Sequence, residues 1–92
     1  MDIKLKDDNK HGKFYIEIDN KELAEMTFTW AGDQRFIIDH TAVDDELKGQ
    51  GAGKKMVLKA VAYARENNVK IIPLCPFAKS VFNKLPEIRD VL

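Results

Sequence analysis

The feature of this sequence that most restricts its fold is a run of three glycines at alternate positions, Gly49, Gly51 and Gly53. The run follows Phe36–Val43, a stretch rich in β-branched and aromatic residues, and it opens a helical pattern over about 52–67. A strand that passes through a glycine turn into a helix leaves unpaired N–H groups at the helix start, where the dipole is positive. The turn therefore predicts either a phosphate-type anion site or a plain structural turn.

The sequence around this turn predicts a parallel crossover followed by a second helix. The first helix turns one apolar face to a core, formed by Met56, Val57, Ala60, Val61 and Ala64. Val69–Leu74 is a short apolar run typical of a strand buried on both faces, and strand, helix and strand in this order indicate a right-handed crossover. Pro76 suits the first turn of a further helix that Pro86 ends, with an apolar stripe of Phe77, Val81, Phe82 and Leu85.

The first half of the chain alternates with the period of two that is typical of strands. A short start at Ile3 and Leu5 is followed by strands over 14–18, 23–30 and 36–43, with turns at 7–12, 19–21 and 31–33. Strict alternation along the last strand places His40 on the face of Phe36, Ile38 and Ala42, with Asp39, Thr41 and Val43 on the other. We therefore expect one α+β domain over residues 1–92: an antiparallel meander of about four strands, then helix, parallel strand and helix.

Charge and composition exclude several classes of protein. Fifteen basic and fifteen acidic residues give a formal net charge of zero, which argues against a general nucleic-acid or membrane-surface partner. The N-terminus lacks the apolar stretch of a signal peptide, so we expect a cytoplasmic protein. The single Cys75 cannot form an internal disulfide, and His11 and His40 do not form a spaced set of metal ligands.

The glycine turn does not match two well-known phosphate loops. A Walker A loop would need glycine at Lys48 and a hydroxyl residue at Lys55. A dinucleotide fingerprint would need glycine at Lys54 or Met56, depending on its start. Both patterns are excluded, and the residues alone leave the anion site and the structural turn open.

The segment Lys48–Gly53 resembles the (Arg or Gln)-x-x-Gly-x-(Gly or Ala) pyrophosphate loop of the GCN5-related N-acetyltransferase superfamily, with lysine in first place. His40-Thr41-x-Val43 and the Pro-Leu-Cys-Pro-Phe segment at 73–77 resemble a subfamily of very short members. The resemblance implies a truncated form of that fold, in which coenzyme A lies between two splayed strands, here 36–43 and 69–74. It also implies an open acceptor side, because larger members carry two helices between their first strands.

The resemblance implies an acetyl-CoA-dependent acyltransferase, most simply an N-acetyltransferase acting on an unidentified amine. Cys75, at the N-cap of the last helix, is the candidate nucleophile or proton donor, and His40 is the candidate base. A buried structural cysteine and a histidine packed on the sheet are the alternatives. The candidate coenzyme-binding residues are Ala42, Val43, Lys48, Gly49, Gln50, Gly51, Ala52, Gly53, Lys54, Phe77 and Phe82. A coenzyme-binding module without turnover, and an interaction domain with a structural turn, are the rival functions.

Overall fold

A computed structural model describes residues 2–92, which form one five-stranded sheet and two α-helices. The sheet order is β1-β2-β3-β4-β5, with antiparallel pairs throughout except for the parallel pair β4–β5. The strands are β1 Lys4–Asp7, β2 His11–Ile18, β3 Lys21–Trp30, β4 Arg35–Val43 and β5 Lys70–Pro73. The helices are α1 Ala52–Asn67 and α2 Pro76–Lys84, and 3-10 turns span Asp45–Leu47 and Pro86–Val91. None of the helices formed by residues 2–92 is long and apolar enough to cross a membrane.

The predicted α+β fold is confirmed, and most element bounds agree within two residues. The largest difference is at the first turn, where His11 and Gly12 belong to β2 and not to the loop. The turn between β2 and β3 is a two-residue connection in which Asp19 and Asn20 have φ of 53° and 65°. Asp and Asn tolerate this left-handed conformation, which is why the pair can reverse the chain so tightly.

One face of the sheet packs against both helices to form the core. Phe14, Phe28 and Phe36 lie there with at most 1% exposure, and the ring centroids of Phe28 and Phe36 are 4.8 Å apart. The five α1 residues predicted to face the core are all buried, which confirms the predicted face of this helix. Each buried aromatic side chain of this kind removes a large apolar area from water and so contributes strongly to folding.

The opposite face of the sheet, here called the outer face, carries no helix within residues 2–92. Tyr15 lies on this face beneath the side chains of Lys6 and Lys13, whose Nζ atoms stand 5.1 and 5.3 Å from its ring centroid. The edge strand β5 is consequently buried on one side: Ile71 is buried, whereas Ile72 is half-buried. The prediction of a strand buried on both faces was wrong because the described part of the chain, residues 2–92, places no second layer on the outer face.

A β-bulge at Asp39 of β4 reverses the face of His40 and of every residue after it, relative to strict alternation. Thr27 of β3 pairs with His40 and Phe28 pairs with Ile38, so Asp39 is the extra residue between two consecutive pairs. Beyond the bulge, Thr41 and Val43 lie on the core face and His40 lies on the outer face. The prediction that His40 shares a face with Phe36 and Ile38 was therefore wrong, because strict alternation does not hold across a bulge.

The C-terminal 3-10 turn fastens the end of the chain to α1 and β5. Arg65 of α1 donates hydrogen bonds from Nη2 to Asp90 Oδ1 at 2.7 Å and to the carbonyl of Glu87 at 2.9 Å. Lys70 of β5 donates to the carbonyl of Asp90 at 2.7 Å. These contacts hold Ile88 and Val91 in the core, where both are buried.

Candidate active site

The glycine turn places a helix N-terminus in the open. Gly49 and Gly51 have φ of 80° and 71°, and a Cβ atom built on either residue would meet no atom within 4 Å. Gly51 is the N-cap of α1, provides no side chain to cap the first amides, and no acidic residue follows in the first turn. The conformation requires glycine, and the uncapped amides with the positive helix end form an anion-binding cradle that a side chain would fill.

The third glycine has a different structural role. A Cβ atom on Gly53 would lie 2.6 Å from Cζ of Phe77, so the phenyl ring packs directly on the backbone at the start of α1. Phe77 belongs to the first turn of α2 and stays 42% exposed. Glycine at this position therefore lets the two helix N-termini approach each other and leaves an aromatic wall beside the loop.

The loop, β4 and Phe77 enclose a mostly apolar cleft of about 400 Å³. Thr41 and Val43 line its β4 side because the bulge turns them towards the helices, and Lys48 and Lys54 line its loop side. The part of Phe77 that remains exposed forms the far wall. A cleft with a basic, amide-rich end and an apolar body fits a ligand that combines a phosphate group with a long, weakly polar arm.

Strands β4 and β5 diverge beside this cleft. Their pairing ends at Ile38 opposite Pro73, and the amides of Leu74 and Cys75 both donate to the Ile38 carbonyl at 3.2 and 3.0 Å. From Asp39 onward, the described chain offers β4 no strand partner on this side. The open edge presents backbone N–H and C=O groups that can pair with the amides of a ligand lying in the gap.

Cys75 lies at the mouth of the gap, as the N-cap of α2 with Pro76 in the first turn. It is 5% exposed, and its S–H donates to Thr41 Oγ1 at 3.3 Å. Burial raises the pKa of the thiol, but the Thr41 hydroxyl and the amides of Phe77 and Ala78 outweigh burial, so the pKa lies below its ordinary value. The N-terminus of α2 also favours negative charge on Sγ, although Sγ makes no regular capping hydrogen bond.

The structure brings some of the predicted site residues together and separates others. Val43, the loop and Phe77 surround one cleft, with Cys75 directly behind Thr41. His40 is exposed on the outer face, so the structure does not place it against Cys75. Thr41 is the residue that contacts the thiol, although the sequence predicts no chemical role for it. The signal in the sequence was Asp39, because aspartate is uncommon in strand interiors and here marks the bulge that turns Thr41 to the core face.

Three further predicted residues have more limited places in the site. Phe82 is 2% exposed and belongs to the core, so we assign it to the support of the cleft wall and not to the binding surface. Gln50 folds back to donate from Nε2 to the Glu46 carbonyl at 3.3 Å. Ala42 points its side chain to the outer face, which leaves only its backbone at the strand edge.

A larger cleft of about 830 Å³ lies at the other end of the sheet. His11, Trp30 and Tyr63 line it, together with the carboxylate of Asp7, which accepts a hydrogen bond from Trp30 Nε1 at 2.9 Å. This cleft contains neither the glycine loop nor the cysteine. Volume alone does not identify a site, so the smaller cleft with its convergent chemistry is the candidate.

Comparisons with known proteins agree with this geometry. Residues 13–91 match a family model described as GCN5-related N-acetyl-transferase. A GCN5-like protein from Staphylococcus aureus, solved by NMR, is 46% identical, with a TM-score of 0.75 over 98% of this chain and 85% of that chain. None of the curated proteins matches the sequence.

Two more distant solved structures share the fold. Tetrahymena GCN5 is 18% identical with a TM-score of 0.67, over 84% of this chain and 51% of that chain. A Clostridium acetobutylicum protein crystallised with acetyl-CoA is 18% identical with a TM-score of 0.66, over 83% of this chain and 56% of that chain. The chain spans about half the length of these two proteins. With the family model matched over most of its length, the chain belongs to the GCN5-related N-acetyltransferase family.

Proposed function

We propose that residues 1–92 form a single domain that binds acetyl-CoA and transfers its acetyl group to an amine, by way of Cys75. The observation that carries the proposal is the placement of a cysteine of lowered pKa where β4 and β5 diverge, beside a glycine loop open to an anion. A cytoplasmic location, a small-molecule or protein amine as acceptor, and no nucleic-acid partner remain predictions from the sequence.

The residues of the cleft fit coenzyme A from end to end. Amides of the loop from Gln50 to Lys54 would hold the pyrophosphate, helped by the helix dipole and by the nearby lysines. The edge of β4 at Ala42 and Val43 would pair with the amides of the pantetheine arm, and Phe77 would cover its apolar part. Among residues 2–92, Lys48 forms an exposed ion pair with Asp45, at 2.9 Å, which a phosphate can displace.

Acetyl-CoA supplies a thioester whose carbonyl carbon accepts a nucleophile. Cys75 Sγ attacks this carbon as the thiolate, forms a new C–S bond and displaces the coenzyme thiolate, which takes up a proton from water. An acceptor amine then attacks acetyl-Cys75: the amide N–C bond forms, the C–S bond breaks and its electron pair returns to Sγ. The proton lost by the amine passes to the imidazole of His40, on the outer face where the acceptor enters.

Thr41 and the start of α2 support the cysteine in this role. The Thr41 hydroxyl accepts from the thiol in the resting state, and by rotation it can donate to the thiolate. The amides of Phe77 and Ala78 stabilise negative charge at the same point. A second role for Cys75, protonation of the coenzyme thiolate during direct transfer to the amine, uses the same contacts but leaves no acetyl group on the protein.

A coenzyme-binding module with little turnover is the second candidate function. The observation that favours it is the outer face, where no helix within residues 2–92 forms a wall for an acceptor. In that case the cleft would bind coenzyme A as tightly as in an enzyme, and amines would not be acetylated above the rate in solution.

The experiment combines coenzyme A titration with intact-mass analysis. Coenzyme A should raise the melting temperature and shift amide resonances of residues 48–54; no response at millimolar coenzyme would contradict both candidate functions. Incubation with acetyl-CoA should add one acetyl group to the wild type and none to Cys75→Ala. If Cys75→Ala acetylates a panel of amines as fast as the wild type, Cys75 has neither proposed role. Acetylation of Cys75 without transfer to any amine favours the module.

A further inference from the structure

The bulged residue of β4, Asp39, carries its carboxylate on the outer face directly beside the gap. The carbonyl of Ile38 accepts a hydrogen bond from the Cys75 amide at 3.0 Å. This carbonyl belongs to the peptide bond between Ile38 and Asp39, so the bulged residue lies next to the cysteine. The thiol lies on the helix side of the sheet and the Asp39 side chain lies on the outer side. Bulges commonly redirect a side chain near a binding site, and this one turns His40 to the outer face beside Asp39, on the side that the coenzyme cleft leaves free.

A chain of hydrogen bonds fixes the orientation of this carboxylate. Thr29 Oγ1 donates to Asp39 Oδ2 at 2.7 Å, because an ionised carboxylate can only accept. With its proton committed, the hydroxyl must accept from His11 Nδ1, which lies 3.3 Å away. This arrangement predicts that neutral His11 carries its proton on Nδ1 and has its lone pair on Nε2, so that Asp39, Thr29 and His11 form a directional chain across three strands.

Asp39 differs from the other carboxylates at this face by having no cationic partner. Lys4 and Lys13 engage three glutamates there in ion pairs, Glu17, Glu22 and Glu25. Within residues 2–92, the Asp39 carboxylate forms no ion pair and accepts its side-chain hydrogen bond from the Thr29 hydroxyl. A carboxylate that is held in one orientation but lacks a counter-charge is a binding group for a cation.

We propose that Asp39, oriented by Thr29 and His11, binds the ammonium group of the acyl acceptor on the outer face. The inference rests on the proposed acetyl transfer, and it deepens it by giving the acceptor a site and a charge. The acceptor is a primary alkylammonium that enters from the outer face and reaches acetyl-Cys75 through the gap. The bound ammonium releases its first proton to water, which frees the nitrogen lone pair, and His40, next to Asp39 and on the same face, takes the second proton during the attack on acetyl-Cys75.

Propylamine at pH 7, where it is cationic, tests the binding group directly. Titrated into labelled protein at constant ionic strength, it should shift the amide resonances of residues 37–41. Asp39→Asn should weaken this binding about two- to fivefold, the range for an exposed ion pair. Glu17→Gln is the matched control: it removes an outer-face carboxylate that is already paired with Lys4 and should leave the binding unchanged. Shifts that Asp39→Asn does not weaken, or equal shifts with uncharged propanol, would overturn the proposal.

The orientation by Thr29 has its own readout. Long-range ¹H–¹⁵N spectra should show neutral His11 as the Nδ1–H form in the wild type and in Thr29→Ser, and a mixture of forms in Thr29→Val. Thr29→Val should also weaken propylamine binding, and Thr29→Ser should restore it. An Nε2–H form in the wild type refutes the chain. Asp39→Asn should leave coenzyme A binding and the acetylation of Cys75 unchanged. A wild-type protein that neither binds coenzyme A nor becomes acetylated at Cys75 would contradict the proposed function, whereas the propylamine titration tests the ammonium site by itself.

Discussion

Replacement of Gly51 by alanine separates the conformational role of the loop from its proposed binding role. Gly51 has φ of 71°, and a Cβ atom there would meet nothing within 4 Å. The structural cost is therefore that of the left-handed backbone alone, about 1–2 kcal/mol for a residue with a side chain. In a domain of this size, each kcal/mol lowers Tm by about 4–8 °C, so we expect a fall of about 4–16 °C.

The effect of Gly51→Ala on coenzyme binding should exceed what the loss of stability explains. The new methyl group would occupy the space through which a phosphate approaches the loop amides. Loss of one hydrogen bond to a charged group costs about 1.5–3 kcal/mol, which corresponds to a weakening of Kd by about 10- to 150-fold. The measurements are thermal unfolding without ligand and a coenzyme A titration by calorimetry at a temperature where the variant is folded.

Gly32→Ala is the matched control for this experiment. Gly32 has φ of 82° with equally open surroundings, but it lies in the turn between β3 and β4, away from the cleft. It should lose the same stability and keep full affinity for coenzyme A. Equal loss of affinity in both variants would refute the assignment of the loop as the phosphate site, and full stability of Gly51→Ala would refute the conformational argument.

Three further substitutions test the cysteine, the core and the C-terminal fastening. Thr41→Val removes a hydrogen bond that holds the pKa of Cys75 down, so the pH midpoint of alkylation of this thiol should rise; an unchanged midpoint would exclude Thr41 as a cause. Met56→Ala empties a fully buried site and should cost about 2–5 kcal/mol in urea unfolding, and a cost near zero would place Met56 outside the core. Arg65 lowers the pKa of Asp90 below its ordinary value of 3.8, so Asp90→Asn should be less stable than the wild type at neutral pH. This difference in stability should disappear as the pH falls through the lowered pKa. A difference that persists in strong acid would contradict the ion pair.

Much of the fold could be predicted because its signals are local. The alternation of Phe14, Ile16 and Ile18, the turn pair Asp19-Asn20 and the spacing of apolar residues in α1 each follow from backbone geometry. These signals gave the meander, the exact range of α1 and the N-cap position of Cys75. The missing outer layer was harder to predict, because Ile72 has the same apolar character whether or not a second layer covers it.

The candidate site was predicted less completely, for one physical reason. Alternation assigns faces by counting residues, and the count is valid only while both strands advance together. The extra residue at Asp39 breaks it, so His40 and Thr41 exchanged faces, and the contact between Thr41 and Cys75 was missed. Phe82 was assigned to the cleft although it belongs to the core, because an apolar residue on a helix beside a cleft can face either of the two. The backbone features of the loop, which depend only on glycine, were placed correctly.

Asp39 is the residue of β4 that the pairing with β3 does not use. Ile38 already pairs with Phe28 and His40 with Thr27, so a chain without Asp39 would join these two pairs in plain alternation. Thr41 and Val43 would stay on the core face, His40 would stay on the outer face, and only the carboxylate would be lost. Deletion of Ala42 would instead move Val43 by one position and turn it away from the cleft. The strand can therefore lose a codon at the bulge without exchanging its two faces, whereas the same loss three residues later would exchange them.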